Sequence, residues 1–457
     1  MAMHFYYNGH TYEIETAPLT WDDASANALS LAWNDEGRLQ GAGLGGPLIV
    51  PSYLSLIGSA AENAAILKNL KPSVPKGATV ATDGGNASYL WLGASDVQSE
   101  GSWQWLDGTL LGSGYQNWGS GSLGGEPDNF GGVQDFLAIA TGKWPAPAGG
   151  LGAPGQWNDL DGANLLWSVV EWDGLIGTTG NDKLTGTAGD DVIDGNAGND
   201  TVKAGDGDDI IYMGTGDDNV QTGNGSNAVF AEIGLVDDND GNDRVTGGSG
   251  DDFIAPGTGN DNVRAGDGNN VVIGGSGDDI ITTGAGNDTI DPDVYYAEDG
   301  VEASGNDTIK TGAGDDVIFL GEGADKVWGG AGSDTFVFDT LFTAPSTTVF
   351  KQDGTQVTKA TVHRINDFDA TVDKLGFDAN EFVSLAGFTA TNFVKGSGLT
   401  GASANETGVD DFLIYDTASG KLYYDEDGNH AGAAPVLLGV VTGRMADLDA
   451  SDIVIFA

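Results

Sequence analysis

Apolar positions recur every nine residues through the middle of the chain, each after a run of glycine and acidic residues. The register begins at Gly180 with GNDKLTGTA, GDDVIDGNA and GNDTVKAGD. An apolar residue stands two positions after the third residue of each unit, as at Leu184, Ile193 and Val202. A fixed period of this kind predicts a repeat architecture in which each unit forms the same element.

The third residue of each unit is the candidate ligand position. Sixteen units keep the register, and the two that carry Asn there, Asn227 and Asn270, are expected to have weakened or missing metal sites. The longer intervals at 232–240 and 291–304 predict loops that leave the repeat, and their extra acids either bind further metal or stay solvated. The other units carry Asp182, Asp191, Asp200, Asp209, Asp218, Asp243, Asp252, Asp261, Asp279, Asp288, Asp307, Asp316, Asp325 and Asp334.

Each unit divides into a turn and a strand. Glycines permit the positive-φ turn, and the Asp together with exposed turn carbonyls offers the hard oxygens that Ca²⁺ takes, about six to eight at a time. The apolar stretch predicts a short strand, and two units would form one coil of a right-handed parallel β-roll. Because each coil buries little apolar surface and stacks carboxylates together, we predict that the array is unfolded without calcium.

Composition supports a cation as partner. The chain has 457 residues, with 75 glycines, 68 Asp plus Glu, 18 Lys plus Arg, no cysteine and a formal net charge of -50. That charge repels nucleic acid and anionic membranes. A solvated acidic surface is the alternative, although the repeat positions the acids. The sequence shows no secretory signal peptide and no apolar run of about 18 residues, so no transmembrane segment is expected.

The units match the GGxGxDxUx consensus and resemble RTX repeats, the hemolysin-type calcium-binding family. The resemblance implies several bound Ca²⁺ ions, export by a type I secretion system, and an extracellular location, secreted or at the cell surface. The segment from His363 to Asp369 resembles the cap that follows such arrays. The last residues, 452–457, resemble an uncleaved secretion signal, although an edge strand would look identical.

Residues 1–173 have ordinary globular patterning and hold nearly all the tryptophans, most of which we expect in the core. A helix is predicted after Thr20, and a second contains Glu62. Strands are predicted at 89–94, 101–105 and 166–172.

Two polar clusters stand in this N-terminal part, Glu126-Pro127-Asp128 and Trp157-Asn158-Asp159. Their carboxylates and amide could converge as about five oxygens, which suits Ca²⁺ with open positions for hydroxyls of a ligand.

The order of these motifs, after the strand WLGASD, resembles a C-type lectin domain. The resemblance implies that Glu126, Asp128, Asn158 and Asp159 bind both the ion and two vicinal sugar hydroxyls. EPD is neither the EPN of mannose-type nor the QPD of galactose-type sites, and Gln134 stands where an acid is usual. Phe136 and Val170 occupy positions of family cysteines. Either sugar binding is retained or the fold alone is.

The predicted fold class is therefore multidomain: an α+β C-type lectin-like domain at 1–173, an all-β parallel β-roll of nine-residue repeats at 174–340, and a β-rich C-terminal cap with the secretion signal region at 341–457. The four histidines form no HExxH motif, and GxSxG and cysteine are absent, so we expect no enzyme.

The sequence predicts a secreted calcium-dependent carbohydrate-binding protein, a lectin or adhesin. Its expected partners are a glycan or cell-surface ligand and, during export, the type I secretion machinery. The alternative is a structural protein of an extracellular matrix or surface layer that uses the lectin-like fold for protein contacts.

Overall fold

The chain forms two compact units, Met1–Ile176 and Gly177–Ala457. The three-part division at 173 and 340 stays a prediction. Most of the two predicted loops, at 232–240 and 294–304, lies outside the described residues. The computed structural model describes residues 4–34, 49–70, 72, 74–75, 77–121, 124–143, 152–231, 241–293, 305–339, 346–350, 356–360, 362–400, 411–428 and 434–456.

In its described residues, the first unit combines a mixed sheet with the α-helices Trp21–Ser30 and Ala60–Leu70. Strand Leu166–Trp172 pairs in parallel with Ala87–Ser95, and the other neighbours on the main path are antiparallel. The main path runs, in spatial order, through His4–Tyr7, His10–Leu19, Leu166–Trp172, Ala87–Ser95, Phe136–Ala140 and Trp157–Leu160.

Shorter elements complete this unit. Ser52–Leu54, Val80–Ala81 and Gln104–Trp105 pair with strands of the main path. Trp33–Asn34 pairs with Ile49–Val50, and Ser120–Gly121 pairs with Gly124–Gly125. The remaining elements are the strand Leu175–Ile176 and the 3-10 turns Leu111–Ser113 and Phe130–Gly132.

The first helix begins where the sequence predicts it. The Thr20 side chain accepts a hydrogen bond from the backbone N–H of Asp23, as an N-cap residue does, and the acids of the first turn suit the positive end of the helix dipole. The strand predicted at 101–105 is shorter than expected. The N–H of Ser102 donates to the Ser99 carbonyl at 2.8 Å, which makes a turn of its first half.

The second unit is built on two long sheets of short parallel strands. One sheet contains Val192–Asp194, Ile210–Tyr212, Ala228–Phe230, Phe253–Ala255, Val271–Ile273, Thr289–Asp291, Val317–Phe319, Thr335–Phe338, Lys374–Asp378 and Ile453–Phe456. The other begins with Lys183–Thr185, Thr201–Asp206, Asn219–Asn224, Arg244–Thr246, Asn262–Arg264, Ile280–Thr282, Thr308–Ala313, Lys326–Ala331, His363–Asp369 and Val436–Arg444.

Successive repeats alternate between the two sheets. Lys183 pairs with Thr201, and Val192 pairs with Ile210. Neighbouring strands of one sheet are therefore eighteen residues, or two units, apart in the first block of repeats, which precedes the interval at 232–240. The apolar residue two positions after the ligand position is buried in all sixteen units, from Leu184 to Phe336. The predicted architecture, an α+β first part, a parallel β-roll of nine-residue repeats and a β-rich C-terminal part, is confirmed.

Close stacking of the turns requires glycine. At Gly223 φ is +96°, and a Cβ there would lie 1.5 Å from the carbonyl oxygen of Gly205 in the preceding coil. Only a residue without a side chain permits both the backbone conformation and the approach.

The C-terminal strands continue both sheets. The second sheet passes from Val436–Arg444 through the antiparallel strands Lys421–Tyr424 and Leu413–Asp416 to Phe393–Gly396. A hairpin pairs Ser346–Phe350 with Gln356–Ala360. The short parallel pair Gly257–Thr258 and Gly275–Ser276 and the 3-10 turns Val383–Leu385, Ala390–Asn392 and Ala450–Asp452 complete the unit. No helix in the described part of the chain is long and apolar enough to span a membrane.

Candidate calcium and ligand sites

The ligand positions of the repeat form two ladders in the second unit. The backbone N–H of each member donates to Oδ1 of the next member, at 2.7 to 3.1 Å. The first ladder is Asp182, Asp200, Asp218, Asp243, Asp261, Asp279, Asp307 and Asp325. The second is Asp191, Asp209, Asn227, Asp252, Asn270, Asp288, Asp316 and Asp334.

In several ladder members the other carboxylate oxygen has no hydrogen-bond partner. Oδ2 of Asp200, Asp209, Asp261 and Asp279 is buried and accepts no hydrogen bond. A buried charged oxygen without a donor is costly unless a cation neutralises it. The donor set, carboxylates beside turn carbonyls, is the one that Ca²⁺ prefers, so the residues fit this ion.

Burial acts directly on these groups. It raises the pKa of Asp261 to about 6 and that of Asp279 to about 8, where repulsion by Asp261 adds to the effect. Without a counter-ion, the folded roll therefore disfavours ionised aspartates.

The first member of each ladder differs from the rest. The N–H and Oγ1 of Thr178 donate to Asp182 Oδ2 at 2.7 and 2.8 Å. Thr187 does the same for Asp191 at 2.6 and 3.0 Å. Side-chain donors thus offset part of the need for a cation at this end of the roll.

The two asparagines replace the cation with hydrogen bonds. Asn270 Nδ2 donates to the carbonyls of Gly266 and Gly268, both at 3.1 Å. Asn227 Nδ2 donates to the Gly225 carbonyl at 3.1 Å and to Asp252 Oδ1 at 2.9 Å. In both residues the amide nitrogen takes up acceptors that would otherwise be free for a metal ion. Weakened or missing metal sites at these two positions stay a prediction.

One ladder member falls outside the nine-residue register. Asp334 N–H donates to Asp373 Oδ1 at 3.0 Å, so Asp373 extends the second ladder into the C-terminal part. A spacing of 39 residues hides it from a periodicity search. The sequence signal that could have identified it is the pair of residues that follows, Lys374 and Leu375. These residues pair with Thr335 and Phe336, the two residues that follow Asp334.

The candidate site of the first unit lies beside strand Trp157–Leu160. Trp157 is buried, and its Nε1 donates to Asn63 Oδ1 at 2.8 Å, which anchors the strand to the second helix. The N–H of Gly119 donates to the Trp157 carbonyl, and the Gly119 carbonyl accepts from Glu126 N–H, each at 2.9 Å. These bonds place the Glu126 loop against the strand that carries Asn158 and Asp159.

All four predicted residues meet in this place. Carboxylate oxygens of Glu126, Asp128 and Asp159 lie within 4.8 Å of one another. Asp159 is fully buried, and its two oxygens accept from the N–H groups of Asp128 at 3.3 Å and Asn129 at 2.7 Å. Burial and the Asp159 carboxylate raise the pKa of Glu126.

The Asn158 amide can serve this cluster in two ways. One end of the amide lies 2.9 and 3.3 Å from the Glu126 carboxylate oxygens. With its nitrogen there, Asn158 donates to Glu126 and no metal is needed. With its oxygen there, the nitrogen donates to Tyr89 OH at 3.4 Å, and the converging acceptors require a cation between them.

Residues that depart from the lectin pattern have structural roles. The side-chain oxygen Oε1 of Gln134 accepts a hydrogen bond from the Phe130 backbone N–H at 2.6 Å. The Gln134 backbone N–H donates to Asn129 Oδ1 at 3.1 Å, and the two bonds close the loop after Asp128. Phe136 packs on Trp21 with ring centroids 4.8 Å apart, and Val170 is buried.

Asp96 is a further acid that the sequence interpretation did not single out. Asp96 Oδ1 is buried and has no hydrogen-bond partner, while Oδ2 accepts from Gly101 N–H at 2.7 Å. Burial and the nearby Glu100, Asp135 and Asp159 raise its pKa to about 6. Its position at the end of strand Ala87–Ser95, beside acids from other segments, could have suggested it.

Known proteins resemble both parts of the chain. The family model of the RTX calcium-binding nonapeptide repeat matches residues 176–211, 235–263, 256–290 and 303–336. C-type lectin domain family 4 member M of Nomascus concolor is 48% identical over 57 residues, 12% of this chain and 13% of that protein. Hepatic lectin of Gallus gallus is 36% identical over 71 residues, 16% of this chain and 27% of that protein. The chain thus covers only a minor part of the length of these relatives.

Solved structures also match part of the chain. The C-type lectin CEL-I from Cucumaria echinata matches 37% of this chain and 94% of its own, with 23% identity and a TM-score of 0.26. The cow carbohydrate-recognition domain of CD23, solved in the presence of a GlcNAc2Man3 oligosaccharide, matches 37% and 92%, with 19% identity and a TM-score of 0.24. By its repeats and its sequence similarities, the chain contains RTX calcium-binding nonapeptide repeats preceded by a C-type lectin-like domain.

Proposed function

We propose that the protein is a secreted, calcium-dependent carbohydrate-binding protein, a lectin or adhesin, carried on a calcium-stabilised RTX β-roll. It acts by binding and not by catalysis. The observation that carries the proposal is the convergence of the Glu126, Asp128 and Asp159 carboxylates and the Asn158 amide beside one strand.

The cluster is buried on one side and open on the other. Asn158 and Asp159 are buried, whereas Asp128 is exposed and Phe130 is 70% exposed. An ion held from the buried side keeps open coordination positions, and two vicinal hydroxyls of a sugar can fill them. The exposed Phe130 ring offers an apolar surface on which a sugar face can stack.

Calcium-conditional folding supports export. With buried, unpartnered carboxylate oxygens along the roll, the calcium-free chain is held from folding at neutral pH. Such a chain threads a type I secretion system as an unfolded polymer and folds in the higher calcium outside the cell. The proposed location is therefore extracellular, either secreted or at the cell surface.

A glycan array tests the binding function. Wild-type protein is compared in calcium and in EDTA with two variants, Glu126→Gln and Asp159→Asn, and with the control Asp22→Asn, an exposed acid of the first helix. We expect the wild-type protein to bind a defined set of glycans in calcium, and we expect free sugar to compete with this binding and EDTA to abolish it. Of the three variants, only the control Asp22→Asn should keep the binding.

The array also separates the proposal from its alternative. Absence of binding to every glycan by a calcium-loaded, folded protein contradicts carbohydrate binding. Calcium-triggered assembly into ordered polymers that free sugars leave unchanged would instead establish a matrix or surface-layer role. Tryptophan fluorescence of each variant verifies that the lectin-like part is folded.

A further inference from the structure

An acid outside the nonapeptide register is buried in the roll. Asp293 follows the last ladder aspartate of the second block, Asp288, by five residues, where the register demands nine. It is only 6% exposed, and neither of its carboxylate oxygens has a hydrogen-bond partner. A solvated loop acid would show neither property.

The Asp293 carboxylate points at two ladder aspartates. One oxygen each from Asp293, Asp307 and Asp325 lie within 4.8 Å of one another. In the described residues of the second unit, this is the one such group of three. Asp307 Oδ2 is also buried without a hydrogen-bond partner, so the oxygens of two residues face a common space without donors.

Neighbouring residues are shaped around this group. Gly321 has a φ of +53°, and a Cβ there would lie 2.0 Å from Asp293 Oδ2. Gly321 is itself held by a hydrogen bond from its N–H to Asp339 Oδ1 at 3.0 Å. On the far side, the buried His363 Nδ1 lies 2.9 Å from Asp325 Oδ2 and orients that carboxylate.

The charges of the group need a counter-ion. All three carboxylates are buried, with an exposed fraction of 6% for Asp293 and 0% for Asp307 and Asp325, and like charges so close together repel one another. A cation bound among them would offset both the burial of these charges and their repulsion.

We propose that Asp293 is a calcium ligand and that, with Asp307 and Asp325, it forms a three-carboxylate site that binds Ca²⁺ more tightly than the other ladder positions of the roll. Carboxylate number is one of the quantities that set calcium affinity. The inference rests on the proposed calcium-stabilised roll and deepens it, because it makes one coil the strongest point of calcium attachment.

Calcium titration of the full chain tests this site. Asp293→Asn keeps the shape of the side chain and removes its charge, and the matched control is Asp206→Asn, an exposed acid of the roll outside the ladders. Chelator competition gives the affinity of the tightest class of sites. We expect Asp293→Asn to weaken that class at least about tenfold by loss of one anionic ligand, while the control leaves it unchanged.

A second variant and a second readout guard against misfolding. Gly321→Ala should displace the Asp293 carboxylate and reproduce the weakening. Hydrogen exchange of the strands Thr308–Ala313 and Val317–Phe319 is followed as calcium is withdrawn. In the wild-type protein these two strands should lose their protection from exchange after the other strands of the roll. In Asp293→Asn they should lose it at the same calcium concentration as the rest of the roll.

Two results would overturn the inference. Asp293→Asn with wild-type affinity and wild-type order of exchange would show that Asp293 is a neutral buried acid. A tighter affinity in Asp293→Asn would show that the charge opposes calcium. A wild-type chain that binds no calcium at all would instead contradict the proposed calcium-stabilised roll, so the two failures are distinguishable.

Discussion

Withdrawal of calcium at pH 7.5 should unfold the roll, and mild acid should restore part of its structure without calcium. The perturbation acts on the ladders, where Asp261 N–H donates to Asp279 Oδ1 at 2.8 Å and the Oδ2 atoms of both residues are buried without a partner. In calcium the ion compensates these charges. In its absence the folded state must either hold them ionised or bind protons.

The size of the effect follows from the pKa values. Burial raises the pKa of Asp261 from 3.8 to about 6, a cost to the folded, ionised state of roughly 3 kcal/mol at pH 7.5. For Asp279, raised to about 8, the cost at this pH is roughly 5 kcal/mol. Together they remove about 8 kcal/mol, which is comparable with the whole stability of a typical domain, about 5–15 kcal/mol.

The sign of the pH dependence is opposite to that of salt-bridged acids. These folded-state pKa values lie above the unfolded value, so the folded chain binds protons more tightly. Their contribution to the free energy of unfolding is fully present below pH of about 4 and is lost as the pH rises through about 6 and about 8. The calcium-free roll should therefore be more stable at pH 5.5 than at pH 7.5.

Far-UV circular dichroism and hydrogen exchange of the repeat strands provide the assay. Calcium is removed by desalting over a chelating resin, and spectra are recorded at pH 7.5 and 5.5 with and without added Ca²⁺. Tryptophan fluorescence reports separately on the first unit, where ten of the eleven tryptophans stand. Native-like exchange protection of the repeat strands at pH 7.5 without calcium would contradict this prediction, as would a calcium-free chain that is less structured at pH 5.5 than at pH 7.5.

Further expectations concern single residues. Asn270→Asp should add one calcium site by native mass spectrometry and lower calcium-free stability by about 1–3 kcal/mol, since two carbonyls lose their donor; an unchanged ion count would contradict this. Ile281→Ala should destabilise the calcium-loaded roll by about 2–5 kcal/mol in urea unfolding, because this fully buried side chain leaves a cavity; a cost near zero would contradict the packing. Gly223→Ala should destabilise the calcium-loaded roll measurably in the same assay, because the added Cβ would lie 1.5 Å from the Gly205 carbonyl oxygen. Gly112→Ala in the first unit should not affect the melting of that unit, because its added Cβ meets nothing within 4 Å.

The sequence alone predicted the repeating unit and the aspartates at its ligand position. The nine-residue period predicts which residues point into the core and which residues form turns, because each unit has the same local pattern. In the structure all sixteen apolar positions are buried. The four residues of the candidate lectin site also followed from the sequence, because two short motifs bring carboxylates and an amide to adjacent segments.

Only the tertiary structure brought residues of unlike spacing together. Asp373 joins a ladder across 39 residues, and Asp293 meets Asp307 and Asp325 from outside the register, since stacking of coils and not local spacing determines those neighbours. The role of Asn270 likewise depends on which carbonyls its amide reaches. The sequence determined the repeating unit and predicted its ion, because both depend on local properties of nine residues. The fold decided which carboxylates share a buried space, because that depends on the packing of one coil on the next.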